Sequence, residues 1–314
     1  MSELKIIFFG TPSFAVDSLH EINLNYNVDY VVTSPDKKSG RGQKINESEV
    51  KLYAKKNNIK ILQPENLNEK QFVNQIEAIQ PDLIIVVAFR KLPFEIFSIP
   101  KHGTINLHAS LLPNYRGAAP INWCLINNEK KTGVTTFFIN EKIDRGDILL
   151  KEEIIISDDD NYGSLYQKLS SIGSKLLVKT INGVVNDTLK ASKQITDKDL
   201  IIAPKLTKEN TRINWNKPAI KILGKIRGLC PTPGAWTILK NGDNEIRMKI
   251  LKAEILKKTL NKKVGKIYIH DSELHVYTKD YIINCILIQL ENKRVMSAKD
   301  LLNGLKLDEN SLVY

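Results

Sequence analysis

A doubly wound α/β domain with a mostly parallel sheet, followed by a smaller β-barrel domain, is the fold class that this 314-residue sequence predicts. Two patterns carry the prediction. Short apolar or β-branched runs alternate with helix-period segments through the first half, and strand-length runs broken by turn residues fill the last third. Strand alternating with helix implies parallel pairing through crossovers, with ligands bound beyond the carboxyl ends of the strands. In order, residues 4–10, 28–33, 59–62, 82–88 and 103–107 read as strands, with helices at 15–22, 48–57 and 69–78. Residues 133–139 and 148–156 read as two further strands, which leaves 140–147 as a loop. Leu165, Leu169, Ile172, Leu176, Leu177 and Ile181 recur at helical spacing across 162–182 and close a first domain at 1–182. Residues 183–204 are polar and poorly periodic, as a linker would be. The second domain, 205–314, opens with a helix over 218–228, Pro near its start and Gly at its end. Strands at 235–239, 247–251, 266–269, 274–277 and 282–289, separated by Asn-Gly and Asp-Ser turns, suggest a small barrel.

Bulk properties narrow the function classes. Cys124, Cys230 and Cys285 are scattered, without CxxC pairing or a nearby His, which argues against a disulfide framework or a zinc site and fits a reducing cytosol. No segment approaches the ~20 apolar residues of a membrane span, so a cytoplasmic protein without a membrane partner is expected. Gly10-Thr11-Pro12-Ser13-Phe14 ends the first strand but matches neither GxGxxG nor GxxxxGK[ST], which disfavours a dinucleotide or ATP site. The net charge of +11 is uneven: residues 1–204 hold 25 basic against 24 acidic side chains, residues 205–314 hold 21 against 11. A basic appendix on a neutral body suits an enzyme acting on a polyanion, because phosphate contacts give sequence-independent affinity.

The residues with the clearest chemistry are Asn106 and His108. Two apart on one strand end, they share a face, and Pro113 and Gly117 stop regular structure soon after. An amide can donate to a developing oxyanion, an imidazole can donate or shuttle a proton, and a nearby carboxylate would orient the imidazole. The loop 140–147 supplies two candidates, Asp144 and Asp147, and spacing alone does not choose between them.

The string Asn-Leu-His-Ala-Ser-Leu-Leu-Pro-Asn-Tyr-Arg-Gly-Ala-Ala-Pro over 106–120, followed by Ile-Asp-Arg-Gly-Asp over 143–147, resembles the signature of the formyltetrahydrofolate-dependent formyltransferases. Further pieces fall in the same order: Phe-Phe-Gly-Thr-Pro-Ser-Phe-Ala at 8–15, Gly-Arg-Gly-Gln-Lys at 40–44, Gln63-Pro64, Lys-Leu-Thr-Lys-Glu at 205–209, and Arg-Val-Met-Ser-Ala-Lys-Asp at 294–300. Within that family the resemblance is to the branch that formylates the methionine carried on initiator tRNA. It implies a Rossmann-like formyltransferase domain, an OB-like tRNA-binding barrel, 10-formyltetrahydrofolate as co-substrate without a metal, initiator Met-tRNA as partner, and a monomer. It favours Asp144 over Asp147 as the catalytic acid beside Asn106 and His108.

The same resemblance assigns peripheral roles. Ser110, Leu111, Leu112 and Pro113 match the folate-contacting turn, and Phe89, Arg90 and Leu92 would wall the pterin pocket. There the sequence departs from the commoner Tyr-Gly pattern, with Arg90 at the Gly position and one residue fewer before Pro93. Phe14 is placed near the methionyl group, with a plain core position as its other reading. The basic loop 34–49 matches an insertion that enters the tRNA acceptor stem, with Arg41 and Lys44 as its contacts. A formyltransferase for a nucleotide sugar or glycinamide ribonucleotide would share Asn106, His108 and Asp144, yet have no use for the basic loop or the basic last third. An idle RNA-binding protein would have no need of the three polar residues.

Overall fold

A computed structural model of the chain describes residues 4–39, 44–195, 199–258 and 262–314. Along the chain run β1 (Ile6–Gly10), α1 (Ser13–Tyr26), β2 (Tyr30–Val32), β3 (Lys37–Ser39), β4 (Lys44–Asn46), α2 (Glu49–Lys56), β5 (Lys60–Leu62), α3 (Lys70–Ile79), β6 (Leu83–Val87), α4 (Phe94–Phe97) and β7 (Thr104–His108). There follow β8 (Arg116–Gly117), α5 (Pro120–Ile126), β9 (Lys131–Phe138), β10 (Ile148–Ile155), α6 (Tyr162–Val185), β11 (Ile202–Ala203), α7 (Ala219–Leu229), β12 (Ala235–Asn241) and β13 (Asn244–Lys258). The chain ends with β14 (Ile267–His270), β15 (Glu273–Tyr277), β16 (Tyr281–Leu290), β17 (Met296–Ser297), α8 (Ala298–Gly304) and β18 (Leu312–Val313). Two compact units result, one of residues up to Gly117 with Thr132–Ile154 and Tyr166–Ile202, the other of Ala118–Lys131, Ile155–Leu165 and Ala203–Tyr314.

In the first unit the sheet order is β10-β9-β7-β6-β1-β2-β5. Strands β5, β2, β1, β6 and β7 pair in parallel, and β9 joins β7 antiparallel, so the sheet is the mostly parallel one that the alternation predicts. Every residue of β1 and β6 is buried, which is why both read as unbroken apolar runs rather than alternating ones. On one face Ile7, Phe9, Val32, Ile84 and Val86 pack with Phe72 and Ile76 of α3 and Ile96 of α4, each side chain contributing about 1.5–3 kcal/mol by leaving water. Helix α2 begins where Ser48 caps it, accepting from the Lys51 amide at 3.1 Å, with Glu49 in the first turn and Lys55 and Lys56 in the last.

The segment 34–49, read from sequence as a loop, contains a β3–β4 hairpin in which Lys37 opposes Asn46 and Ser39 opposes Lys44. Three-residue strands without apolar alternation give no period-2 signal. Its root is pinned: Lys51 bonds Asp36 at 2.5 Å and Glu47 at 3.0 Å, and the Gln63 amide donates to the Ser34 carbonyl and the Asp36 carboxylate, both at 2.9 Å.

In the second unit the sheet order is β14-β15-β16-β13-β12-β18, with β17 on β16. Its edges meet: the Val313 amide donates to the Gly265 carbonyl at 2.8 Å, and that of Ile267 to Ser311 at 3.1 Å. Gly265 is required at this seam, since its φ is +81° and a Cβ would lie 2.2 Å from the Val313 carbonyl oxygen. Helices α5 and α7 pack together, and Ile126, Ile222, Ile226 and Leu229 share a core with Met248, Ile250, Leu274, Val276 and Ile283. Strand β13 is far longer than the 247–251 run read from sequence because register shifts near Ile250, Lys252 and Ile255 break its alternation. Among the described residues no helix is long and apolar enough to cross a membrane.

Candidate active site

Strand β7 ends by presenting Asn106 and His108 on one face, with Asn106 half-buried and His108 7% exposed. The chain then turns through Ser110 to Pro113, held to β9 by Thr135, whose hydroxyl donates to the Ser110 carbonyl at 2.7 Å and accepts from the Leu112 amide at 3.1 Å. The Ser110 hydroxyl donates to the Asn114 carbonyl at 2.8 Å. Ser110 and Leu112 are buried, whereas Leu111 and Pro113 keep part of their surface.

His108 is hydrogen-bonded at one ring nitrogen and faces a carboxylate with the other. Nε2 lies 2.8 Å from the Tyr115 carbonyl, which only accepts, so Nε2 carries a proton. Nδ1 faces the Asp144 carboxylate at 3.8 Å. That distance is too long for a direct hydrogen bond but short enough for an ion pair. The carboxylate is held in turn by the Gly117 amide, 2.9 Å from Oδ2. Of the two acids in the loop, Asp144 is the one that reaches His108. Asp147 gives its carbonyl to the Phe138 amide at 2.9 Å and leaves its side chain exposed.

The loop around Asp144 is tightly constrained. Asp144 has a φ of +52°, uncommon for a residue with a Cβ. Gly146 is needed because a Cβ there would lie 1.5 Å from the Phe138 carbonyl oxygen. Gln194, in the stretch that sequence marks as linker, donates its amide to the carbonyls of Asp144 at 2.9 Å and Gly146 at 2.8 Å. Its oxygen accepts from Arg116 Nε at 3.2 Å and from Nη2. Burial, and then repulsion from Arg145, lower the pKa of the Arg116 guanidinium, partly offset by Asp144. Tyr115, Arg116 and Gln194 escape sequence reading because each acts through backbone atoms or across some fifty or more residues, where no period links them.

The proposed pterin wall lies after β6. Leu92 is 2% exposed and sits in the core beside Leu67 and Ile96. The Phe89 ring is half-buried and meets Phe9 edge-on at 5.5 Å. Arg90 turns its guanidinium over the Phe89 ring at 5.4 Å and donates to the carbonyls of Pro64 and Glu65, both at 2.8 Å. It therefore laces the loop after β6 to the loop after β5. Phe14 is 5% exposed and packs edge-on against Tyr166 of α6 at 5.2 Å. Lys44 begins β4, while Arg41 lies outside the described residues.

Comparison with known proteins bears on this geometry. The formyl transferase family model matches residues 4–181, and the model of the formyl transferase C-terminal domain matches residues 205–306. The chain is 44% identical over 315 residues to the methionyl-tRNA formyltransferase of Flavobacterium johnsoniae, covering 100% of both chains. It is 44% identical over 306 residues to that of Thermodesulfovibrio yellowstonii, covering 97% of each.

The chain belongs to the methionyl-tRNA formyltransferase family.

Its function is accordingly that of the methionyl-tRNA formyltransferases, an enzyme of formyl transfer in translation initiation. Solved structures share the fold at lower identity. WlaRD, a sugar 3N-formyl transferase determined in the presence of dTDP and 5-N-formyl-THF, superposes with a TM-score of 0.66 at 22% identity, over 94% of this chain and 100% of that one. HypX from Aquifex aeolicus, in complex with tetrahydrofolic acid, gives 0.62 at 18%, over 96% of this chain and 47% of that one. The Asn-x-His strand end and the Asp144 loop of this chain thus stand on a fold shared with WlaRD and HypX.

Proposed function

We propose that the chain transfers the formyl group of 10-formyltetrahydrofolate to the amino group of methionine on initiator tRNA, with residues 1–182 as catalytic body, 183–204 as linker and 205–314 binding the tRNA. The observation that carries the reading is the 3.8 Å approach of Asp144 to His108 Nδ1, with Asn106 on the same strand face. Tyr115 already occupies Nε2, so Nδ1 is the working edge. At that separation an oxygen or nitrogen set to one side of the pair can lie within hydrogen-bond reach of both Nδ1 and the carboxylate.

The co-substrate supplies a formyl group on a nitrogen that can depart. The rest is done by the chain. Asn106 and His108 donate to the formyl oxygen as it gathers negative charge, with the Asp144 carboxylate facing His108 Nδ1. Asp144, directly or through water, takes the proton that the attacking amine sheds, and that proton passes to the folate nitrogen as its bond to the formyl carbon breaks. Ser110 to Pro113, Phe89, Arg90 and Leu92 hold the folate, Phe14 borders the methionyl group, and Arg41 and Lys44 meet tRNA phosphates.

The decisive experiment is formylation of Met-tRNA from initiator and elongator species at moderate salt, with an amino sugar nucleotide as control. Selective formylation of the initiator, dependent on 10-formyltetrahydrofolate, is the expected result. Formylation of the sugar alone would overturn the tRNA reading and keep the three polar residues. His108→Ala is expected to lose about two to four orders of magnitude in kcat, and near-normal turnover in that variant would remove His108 from the mechanism.

A further inference from the structure

The Asp144 loop has a support that the chemistry described so far does not use. Asp144 adopts a φ of +52° within a five-residue run whose only glycine is Gly146. A non-glycine residue holds that conformation when its surroundings over-determine it. Here one side chain from outside the loop restrains it at two points. Gln194 Nε2 donates both of its hydrogens, one to the Asp144 carbonyl at 2.9 Å and one to the Gly146 carbonyl at 2.8 Å, so it brackets Arg145 and fixes the turn on either side. Its Oε1 accepts from Arg116.

Arg116 lies between Tyr115, whose carbonyl meets His108 Nε2, and Gly117, whose amide meets the Asp144 carboxylate. The bonds close a ring: His108 to Tyr115, along the backbone to Arg116, across to Gln194, on to Asp144, and back to His108 over 3.8 Å. Gln194 is the member of the ring that comes from a distant segment. That segment is itself anchored, since Ser192 and Ile148 exchange backbone hydrogen bonds at 2.7 and 2.8 Å.

We propose that Gln194 is a positioning residue, which sets the Asp144 backbone so that its carboxylate stands at working distance from His108. The proposal rests on the reading that Asp144 and His108 are the catalytic pair. Gln194 touches no reacting atom, and its effect passes entirely through Asp144.

The test compares Gln194→Glu, Gln194→Leu and Asp144→Asn, singly and as Gln194 with Asp144 doubles, in the full chain. Gln194→Glu keeps an acceptor for Arg116 and removes the two donors, so it isolates the bonds to the loop carbonyls. Both Gln194 variants are expected to lose roughly ten- to a hundredfold in kcat, the scale of a small misplacement of a catalytic group. Their KM values for folate and tRNA should stay within about twofold, and each double should turn over no more slowly than Asp144→Asn alone. Wild-type kcat in the Gln194 variants beside an impaired Asp144→Asn overturns the proposal alone. A loss that multiplies onto that of Asp144→Asn also overturns it, because Gln194 would then act elsewhere. So does failure of both Gln194 variants to melt cooperatively, which would make the residue part of the general scaffold. Full activity in Asp144→Asn would instead sink the catalytic reading, and the proposal with it.

Discussion

At position 144 the backbone and the side chain make competing demands. The carboxylate must face His108, and the backbone that allows this is left-handed, at about 1–2 kcal/mol for a residue with a Cβ. Gly146 absorbs the tightest contact of the same loop, which gives a direct prediction. Gly146→Ala would drive a methyl into the Phe138 carbonyl at 1.5 Å, so the loop or the end of β9 must move. The expected outcome is a loss of at least about 2 kcal/mol in stability, read from denaturant unfolding, with turnover falling even at temperatures where the variant stays folded. Arg90 is a gentler case. Its bonds to the carbonyls of Pro64 and Glu65 join two exposed loops, so Arg90→Gly should leave unfolding almost unchanged. If Phe89 and Leu92 wall the pterin, that variant should raise the folate KM by roughly three- to tenfold, worth about one charge-assisted hydrogen bond at a wet site, and spare kcat. Steady-state kinetics at saturating tRNA separates the two parameters.

Among the elements, the hairpin root is the part whose behaviour should depend on pH. Hydrogen bonds from Lys51 and then Gln63 hold the Asp36 carboxyl below its ordinary value, and those from Lys55 and Lys51 do the same for Glu47. The hydrogen bond to Asp36 raises Lys51. A depressed carboxyl stabilises above its unfolded pKa and loses that contribution as pH falls through the folded value. A raised ammonium stabilises below its unfolded pKa and loses it as pH rises through the folded one. The root should therefore stay closed from about pH 4 to about pH 10 and loosen outside that range. In Lys51→Met the Asp36 carboxyl should titrate closer to its ordinary value, which NMR of the side-chain carboxyl carbons would detect; an unmoved titration would dismiss the pinning.

Elements also differ in how plainly the sequence announces them. Strands β1 and β6 are legible because burial on both faces demands unbroken apolar runs. Asn106 and His108 are legible because a two-residue spacing on a strand has one geometric meaning. Helix α5 is not, since its seven residues span barely two turns and leave no period to detect. Helix α8 is marked in the sequence by Ser297 and Asp300, which form a reciprocal capping box. Gln194 lies 48 residues or more from the atoms it holds, in a polar stretch without periodicity, so only the folded chain reveals it.

On the scale of the whole molecule, the basic excess of residues 205–314 predicts that tRNA use is salt-dependent while folate use is not. The slope of log(kcat/KM) for Met-tRNA against log salt should be clearly negative, and replacing both Arg41 and Lys44 by Ala should flatten it by roughly one to two. An unchanged slope would remove both side chains from the RNA contact. The way the chain divides also matters. The second unit is not the C-terminal stretch alone: Ile126, with Trp123 packed beside it, joins a core otherwise built from residues beyond Ala203. A crossover between relatives within 183–204 would thus look like a clean exchange of modules on a map of the gene, yet would hand the recipient a barrel parted from its own α5. The two halves must therefore be inherited as matched partners, and chimeras should survive only where the parents agree around residues 118–131.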